Sequence, residues 1–126
     1  MVFVVDDDDD VRETIVEALA LDGYTAIGVE NGEQAIGALA VATPELLVTD
    51  LSMPVLDGLA LISKLRSQQR TRRIPVCVVS AELERVPSGI VAVKKPFDLT
   101  ELRDTVRSTL EEARARSPSD HSQIDT

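Results

Sequence analysis

Cations, cysteines and long apolar runs are all scarce in this sequence of 126 residues. Cys77 is the only cysteine, which excludes an intramolecular disulfide scaffold. Thirteen Lys and Arg residues stand against 22 Asp and Glu residues, and the net charge of −9 disfavours general binding to nucleic-acid phosphates. No apolar run approaches the roughly 18 residues that span a membrane, and the segment after Met1 lacks the basic and long apolar parts of a signal peptide. These absences predict a soluble cytoplasmic protein that contacts neither nucleic acid nor membrane.

The length and composition predict one globular domain followed by a short tail. Domains cluster at about 100–150 residues, and apolar residues make up 44% of this chain, which is typical of a globular core. From about Ser117 onward the composition changes to Ser, Pro, Asp and Gln. We therefore predict a domain over residues 1–116 and a disordered tail over residues 117–126, in which His121 has no assigned role.

Short apolar runs alternate along the chain with segments of helical periodicity. The predicted strands are five such runs: residues 2–5, 24–29, 46–48, 76–79 and 90–93. The runs are continuously apolar, which is typical of strands buried on both faces of a parallel sheet. Their alternation with helices predicts right-handed βαβ units and a three-layer doubly wound α/β domain. Asp9 is the predicted cap of the first helix, and Asp22-Gly23 ends that helix.

Polar residues follow four of the five predicted strands. Asp6 and Asp7 follow the first strand, Asp50 the third, Ser80 the fourth and Lys95 the fifth. In doubly wound sheets ligands bind at the carboxyl ends of the strands, so we expect these side chains to converge. Three clustered carboxylates raise one another's pKa unless a cation lies among them.

The residue types at this edge predict magnesium-dependent phosphoryl chemistry. Carboxylates without neighbouring imidazole or thiol groups favour a hard cation, and Mg²⁺ binds through one or two carboxylates together with phosphate oxygens. A carboxylate can also act as a nucleophile that forms an aspartyl phosphate. Mg²⁺ and Lys95 would neutralise the transferring phosphoryl group, and Ser80 would hydrogen-bond one of its oxygens.

Four short motifs occur in order between residue 2 and about residue 114. They are Val4-Val5-Asp6-Asp7, the segment from Asp50 to Gly58 with the sequence DLSMPVLDG, Val78-Val79-Ser80-Ala81, and Lys95-Pro96-Phe97. Together these motifs resemble the receiver domain of two-component response regulators. The resemblance implies a flavodoxin-like (βα)5 fold with a five-stranded parallel sheet of order 2-1-3-4-5.

The resemblance also implies the role of each residue that follows a strand. Asp50 would accept a phosphoryl group from a phosphohistidine of a sensor histidine kinase or phosphotransfer protein. Lys95 would pair with that group, Ser80 would be the switch hydroxyl, and the Lys95-Pro96 peptide bond would be cis. The protein would catalyse only its own phosphorylation and dephosphorylation, and would signal in trans through contacts with an unidentified downstream protein.

The same resemblance implies a complete ligand set for Mg²⁺. The carboxylates of Asp6, Asp7 and Asp50 and the backbone carbonyl of Ser52 would hold the ion. No other cofactor is implied.

The sequence departs from the family pattern in the region that carries the output signal. Only 13 residues lie between Ala81 and Lys95, which leaves room for about one turn of the fourth helix. Ala92 occupies the position of the family's aromatic switch residue. We therefore predict a monomer or weak dimer, a response to phosphorylation confined to the loops around the site, and partner contact near the site or on the first helix.

Two other functions stay open at this point. Residues 2–8 also resemble the first motif of haloacid-dehalogenase phosphatases, an apolar strand followed by Asp-x-Asp, although the cap and the second acidic pair of those enzymes are missing. A receiver-like scaffold that is never phosphorylated is the other alternative.

Several further residues are predicted to be structural. Cys77 is interpreted as a small buried hydrophobe, and Asp57-Gly58 as a helix start only. Arg70, Arg72 and Arg73 are predicted to form a solvated connector.

Overall fold

A five-stranded parallel sheet organises residues 1–116, the part of the chain that the computed structural model describes. Its strands are β1 (Val2–Val5), β2 (Ala26–Val29), β3 (Leu46–Thr49), β4 (Val76–Ser80) and β5 (Val91–Lys94). The strand order is β2-β1-β3-β4-β5, and every neighbouring pair is parallel. The predicted order is therefore confirmed. The predicted tail over residues 117–126, with His121, lies outside the described residues, so the domain boundary stays a prediction.

The helices connect successive strands and cover both faces of the sheet. They are α1 (Asp9–Leu21), α2 (Gly32–Leu39), α3 (Gly58–Arg66) and α4 (Leu99–Arg116). Between β4 and β5 the chain forms only a single 3-10 turn, η1 (Leu83–Arg85). This turn stands where the receiver family has its fourth helix, before the helix labelled α4 here. The prediction that the helix between β4 and β5 is reduced to about one turn is confirmed. Among residues 1–116, no helix has both the length and the apolar character needed to cross a bilayer.

Alternate residues of the central strands point to opposite faces of the sheet and belong to two separate hydrophobic cores. On β1, Val2 and Val4 pack with residues of α1 and α4, whereas Phe3 and Val5 pack with residues of α2 and α3. All residues of β1, β3 and β4 are buried, as expected for strands covered on both faces. The prediction of full burial is wrong for β2 and β5, because these edge strands have a neighbour on one side only. Ile27 and Val91 are 40% and 38% exposed.

Cys77 is the second residue of β4 and is fully buried. Burial raises the pKa of its thiol to about 12. A thiol that stays protonated and inaccessible is a poor nucleophile. The interpretation of Cys77 as a small core hydrophobe agrees with this environment.

The start of α1 differs by one residue from the predicted cap. Asp8, not Asp9, is the N-cap, and its carboxylate accepts hydrogen bonds from the backbone N–H groups of Asp10 and Val11. Asp9 is already helical and binds Arg12 instead. The helix therefore begins at Asp9, and only residues 6–8 separate it from the end of β1.

The predicted second strand is shorter than expected at its beginning. The α1 helix ends at Leu21 with Asp22 as its C-cap, and Gly23 has a φ of +93°, which glycine adopts without strain. The backbone N–H of Tyr24 then donates to the carbonyl of Leu19 and not to a neighbouring strand. Tyr24 is thus bound to the end of the helix, whereas the carbonyl of Thr25 already accepts from the backbone N–H of Val2 on β1, and β2 begins at the next residue.

Arg70 is exposed, as predicted for the connector, but it also makes long-range hydrogen bonds. Its guanidinium donates to the backbone carbonyl of Leu39 at the end of α2 and to the hydroxyl of Thr43. It therefore ties the segment after α3 to the end of α2, far from Arg70 in sequence. Arg72 and Arg73 are exposed, as predicted.

Candidate functional site

The carboxyl ends of the strands gather the polar side chains that the sequence analysis singled out. Asp6 directly follows β1, Asp50 follows β3, Ser80 is the last residue of β4, and Lys95 follows β5. Because β1 and β3 are neighbours in the sheet, Asp6 and Asp50 lie side by side. Asp6, Asp7 and Asp50 each present a carboxylate oxygen within 4.8 Å of the others.

Lys95 is the cation within this carboxylate cluster. Its Nζ donates hydrogen bonds to Oδ2 of Asp6 and to Oδ2 of Asp50, both at 3.1 Å. The Lys95-Pro96 peptide bond is cis, as predicted. The backbone N–H of Lys95 donates to the carbonyl of Ser80 at 2.9 Å, which fixes the start of this segment against β4.

Burial dominates the electrostatics of the cluster. Asp6 is 1% exposed and Asp50 is 9% exposed. Burial raises the pKa of Asp6 above its ordinary value, although the Asp8 backbone N–H and the Lys95 ammonium oppose that rise. Burial alone would lower the pKa of Lys95, but its hydrogen bond with Asp6 and the charges of both carboxylates outweigh burial, so the pKa of Lys95 is raised. The site thus concentrates negative charge that one ammonium only partly neutralises.

The donor set fits a hard divalent cation. Asp6, Asp7 and Asp50 offer carboxylate oxygens only, and Asp7 is exposed, which leaves the cluster open to an ion from solvent. Oxygen ligands of this kind suit Mg²⁺, which keeps several waters when it binds to proteins. The backbone N–H of Ser52 donates to Oδ1 of Asp50 at 3.3 Å, so Ser52 lies beside the cluster. The ligand role of its carbonyl stays a prediction.

Ser80 is buried at the end of β4, with 4% of its surface exposed. Its hydroxyl oxygen accepts a hydrogen bond from the backbone N–H of Glu82 at 3.0 Å. Any movement of the Ser80 hydroxyl toward Asp50 would therefore act on the loop that follows β4. Ala92 lies on β5 opposite Val78, and its single methyl group offers no rotamer to switch.

Gly58 has a role that its interpretation as a helix start missed. A Cβ at this position would lie 2.1 Å from the backbone carbonyl oxygen of Asp50 and 2.8 Å from the Cα of Leu51. The backbone N–H of Gly58 donates to the carbonyl of Leu51 at 2.9 Å. Glycine is therefore needed so that the first turn of α3 can pack on the backbone of Asp50. Asp57 caps the helix as predicted, because its carboxylate accepts from the N–H of Ala60.

Arg12 supports the cluster from α1, and the sequence analysis did not identify it. Its guanidinium donates to the backbone carbonyl of Asp6 at 2.9 Å. An arginine on the first turns of a helix gives no signal that separates this contact from a solvated side chain.

The loop between Asp50 and α3 contains a strained turn at Val55. This residue has a φ of +70°, and the N–H of Leu56 donates to the carbonyl of Pro54 at 2.8 Å, which closes a three-residue γ-turn. A β-branched residue at positive φ is an outlier that costs about 1–3 kcal/mol. Val55 is 73% exposed, so its side chain recovers little of that cost by burial.

We expect the Val55→Gly substitution to raise the free energy of unfolding by about 1 kcal/mol, because glycine adopts this φ without strain. Urea denaturation of both proteins would measure the change. The control is Val41→Gly at a residue that is also exposed and whose φ is not positive, where glycine should lower the stability by about 0.5–1 kcal/mol. Equal effects of the two substitutions would contradict the assignment of strain to Val55.

A comparison with family models matches residues 2–107 to the response regulator receiver domain. The chain is 38% identical over 108 residues to the DNA-binding transcriptional regulator NtrC of Salmonella typhimurium, which covers 80% of this chain and 23% of that protein. It is 36% identical over 117 residues to the transcriptional regulatory protein PrrA of Mycobacterium tuberculosis, which covers 86% of this chain and 49% of that protein. The chain thus spans between about a quarter and a half of the length of these relatives.

The fold is also similar to solved structures. The signal receiver domain of a signal transduction histidine kinase from Syntrophus aciditrophicus superposes with a TM-score of 0.82 at 27% identity, over 88% of this chain and 89% of that chain.

Proposed function

This chain belongs to the receiver-domain family of two-component response regulators, and from that premise we propose that Asp50 is its phosphoacceptor. The carrying observation is the position of the Asp50 carboxylate. It lies next to Asp6 and Asp7 and is hydrogen-bonded to the Lys95 ammonium at 3.1 Å. This combination supplies a nucleophile, a cation and a set of oxygen ligands at one edge of the sheet.

In the proposed reaction an Asp50 oxygen attacks the phosphorus of a phosphohistidine on a histidine kinase or phosphotransfer protein. The new P–O bond forms as the P–N bond breaks, and the freed imidazole takes up a proton. The Lys95 ammonium lies close enough to balance the charge on the phosphoryl oxygens. Ser80, at the end of the neighbouring strand, is the hydroxyl that would donate to one of these oxygens.

Asp6, Asp7, Asp50 and the carbonyl of Ser52 are the residues that would hold Mg²⁺. When bound, this ion supplies positive charge to the phosphoryl oxygens during transfer. Asp6 is buried beside Asp50 and Asp7, so a bound cation would offset the cost of keeping its carboxylate charged away from water.

We place the partner surfaces at the site itself and on the adjacent face of α1. A kinase or phosphotransfer protein must reach Asp50 from the open edge of the sheet, where Asp7 and the first turn of α1 are exposed. The short η1 turn and Ala92 leave little of the surface between β4 and α4 to report phosphorylation. We also propose that a downstream protein partner binds near the site. The protein would be a monomer or weak dimer and would lie in the cytoplasm.

Labelling with a small phosphodonor separates this proposal from a phosphatase and from an inert scaffold. With Mg²⁺ and acetyl phosphate, the chain should gain one phosphoryl group and should not turn over a generic phosphomonoester. Steady hydrolysis of the monoester would favour the haloacid-dehalogenase alternative, which the family match does not favour. Absence of any labelling would favour the scaffold.

Asp7→Ala should abolish both Mg²⁺ binding and labelling, because it removes one of the three carboxylates that cluster among residues 1–116. The matched control is Asp10→Ala, which removes an exposed carboxylate from the first turn of α1 outside the cluster. Metal titration and intact mass would report both properties. An Asp7→Ala titration curve identical to that of the unmodified protein would refute the metal assignment.

A further inference from the structure

Arg85, in the η1 turn, contacts two loops that adjoin the site. Its Nη1 atom donates to Oγ of Ser52 at 3.1 Å and to Oε1 of Glu82 at 3.0 Å. Ser52 belongs to the loop after β3, whereas Glu82 and Arg85 belong to the segment after β4. Arg85, the last residue of η1, therefore joins these two loops.

The bridge is connected to the reacting groups at both ends. On one side the backbone N–H of Ser52 donates to Oδ1 of Asp50. On the other side the backbone N–H of Glu82 donates to the hydroxyl of Ser80. A continuous series of hydrogen bonds therefore runs from Asp50 through Ser52, Arg85 and Glu82 to Ser80.

We propose that Arg85 is a positioning residue that holds Ser52 and Glu82 together over the phosphorylation site and thereby prolongs the life of the aspartyl phosphate. The proposal rests on the proposed phosphoacceptor role of Asp50. It concerns the approach of water and not the transfer of the phosphoryl group to the chain.

Hydrolysis requires a water molecule to reach the phosphorus atom from the side opposite Asp50. The water oxygen forms a bond to phosphorus, the P–O bond to Asp50 breaks, and the water proton leaves with inorganic phosphate or to solvent. Ser52 and Glu82 each lie two residues after a group of the site, Asp50 and Ser80, to which their backbone N–H groups donate. The Arg85 side chain links the two loops, and we infer that the water must pass between them. An ordered bridge narrows the approach, whereas two unlinked loops leave it open.

Removal of the bridge should shorten the lifetime of the phosphorylated chain. We expect Arg85→Ala and Ser52→Ala each to increase the rate of dephosphorylation between about twofold and fivefold, the range that an exposed ion pair or hydrogen bond supports. Ser52→Ala keeps the backbone groups of Ser52 and removes only the hydroxyl. Because both residues act through one bridge, the double variant should lose the phosphoryl group no faster than either single variant.

The test measures loss of phosphoryl label after removal of acetyl phosphate, together with the initial rate of labelling and the thermal unfolding midpoint. Arg73→Ala is the charge-matched control, since Arg73 is exposed and lies in the segment before β4, at the opposite edge of the sheet. If the variants are labelled but keep the phosphoryl group as long as the unmodified chain or longer, the proposed role of Arg85 is wrong, whereas the phosphoacceptor role of Asp50 stands. Additive effects in the double variant would lead to the same conclusion. An unmodified chain that takes up no label would overturn the phosphoacceptor role as well.

Discussion

Replacement of Asp50 by asparagine should eliminate phosphoryl labelling and leave the fold intact. The amide has nearly the shape of the carboxylate, but it lacks the anionic oxygen that attacks phosphorus. The substitution also removes one of the charges that raise the pKa of Asp6, while the hydrogen bond between Lys95 and Asp6 remains. We therefore expect the free energy of unfolding to stay within about 1 kcal/mol of the original value, or to rise slightly.

Asp57→Asn is the matched control for this experiment. Asp57 lies in the same connection between β3 and α3, but its carboxylate caps α3 and is not part of the cluster. Asparagine is an equally good N-cap, so this variant should fold and accept a phosphoryl group normally. Intact mass after incubation with acetyl phosphate and Mg²⁺, and urea denaturation of both variants, would measure the two properties. Full labelling of Asp50→Asn would exclude Asp50 as the acceptor.

The convergence of the site residues could be predicted because a parallel sheet brings all its carboxyl ends to one edge. Asp6, Asp50, Ser80 and Lys95 each follow or end a recognisable apolar run, so the topology alone placed them together. The cap of α1 could not be located in the same way. Asp8 and Asp9 are chemically identical, and only the path of the chain after β1 decides which carboxylate faces the free N–H groups.

Contacts between residues far apart in sequence were also beyond prediction. The contact between Gly58 and the backbone of Asp50 depends on how closely α3 packs on the end of β3. The hydrogen bond from Arg85 to Ser52 joins two loops that only the folded sheet brings together. Exposure of β2 and β5 follows from their places at the sheet edges, because an apolar run looks the same in an edge strand and a central strand.

Lys95→Ala should lower the stability of the metal-free protein by about 1–3 kcal/mol, because it leaves Asp6 and Asp50 without their shared cation. Mg²⁺ should restore more stability to this variant than to the original protein, since the ion replaces the missing charge.

Without Lys95, the raised pKa of Asp6 should rise further above its ordinary value of 3.8. The folded state then binds more protons than the unfolded state, so the loss of stability should shrink as the pH falls through that pKa.

Labelling of Lys95→Ala should still occur, because Asp50 and the metal ligands remain, but the structural response should weaken. In the original protein, amide chemical shifts with a beryllofluoride mimic of the phosphoryl group should change mainly in the loops around Asp50, Ser80 and Lys95. In the variant these changes should be smaller near Ser80, because no ammonium links the phosphoryl group to the chain after β5. Lys94→Ala is the control, since this exposed lysine ends β5 without contacting the cluster. If the chemical-shift response of Lys95→Ala equals that of Lys94→Ala, Lys95 has no role in signalling. Large chemical-shift changes along α4 in the original protein would contradict the prediction that the response is confined to the site.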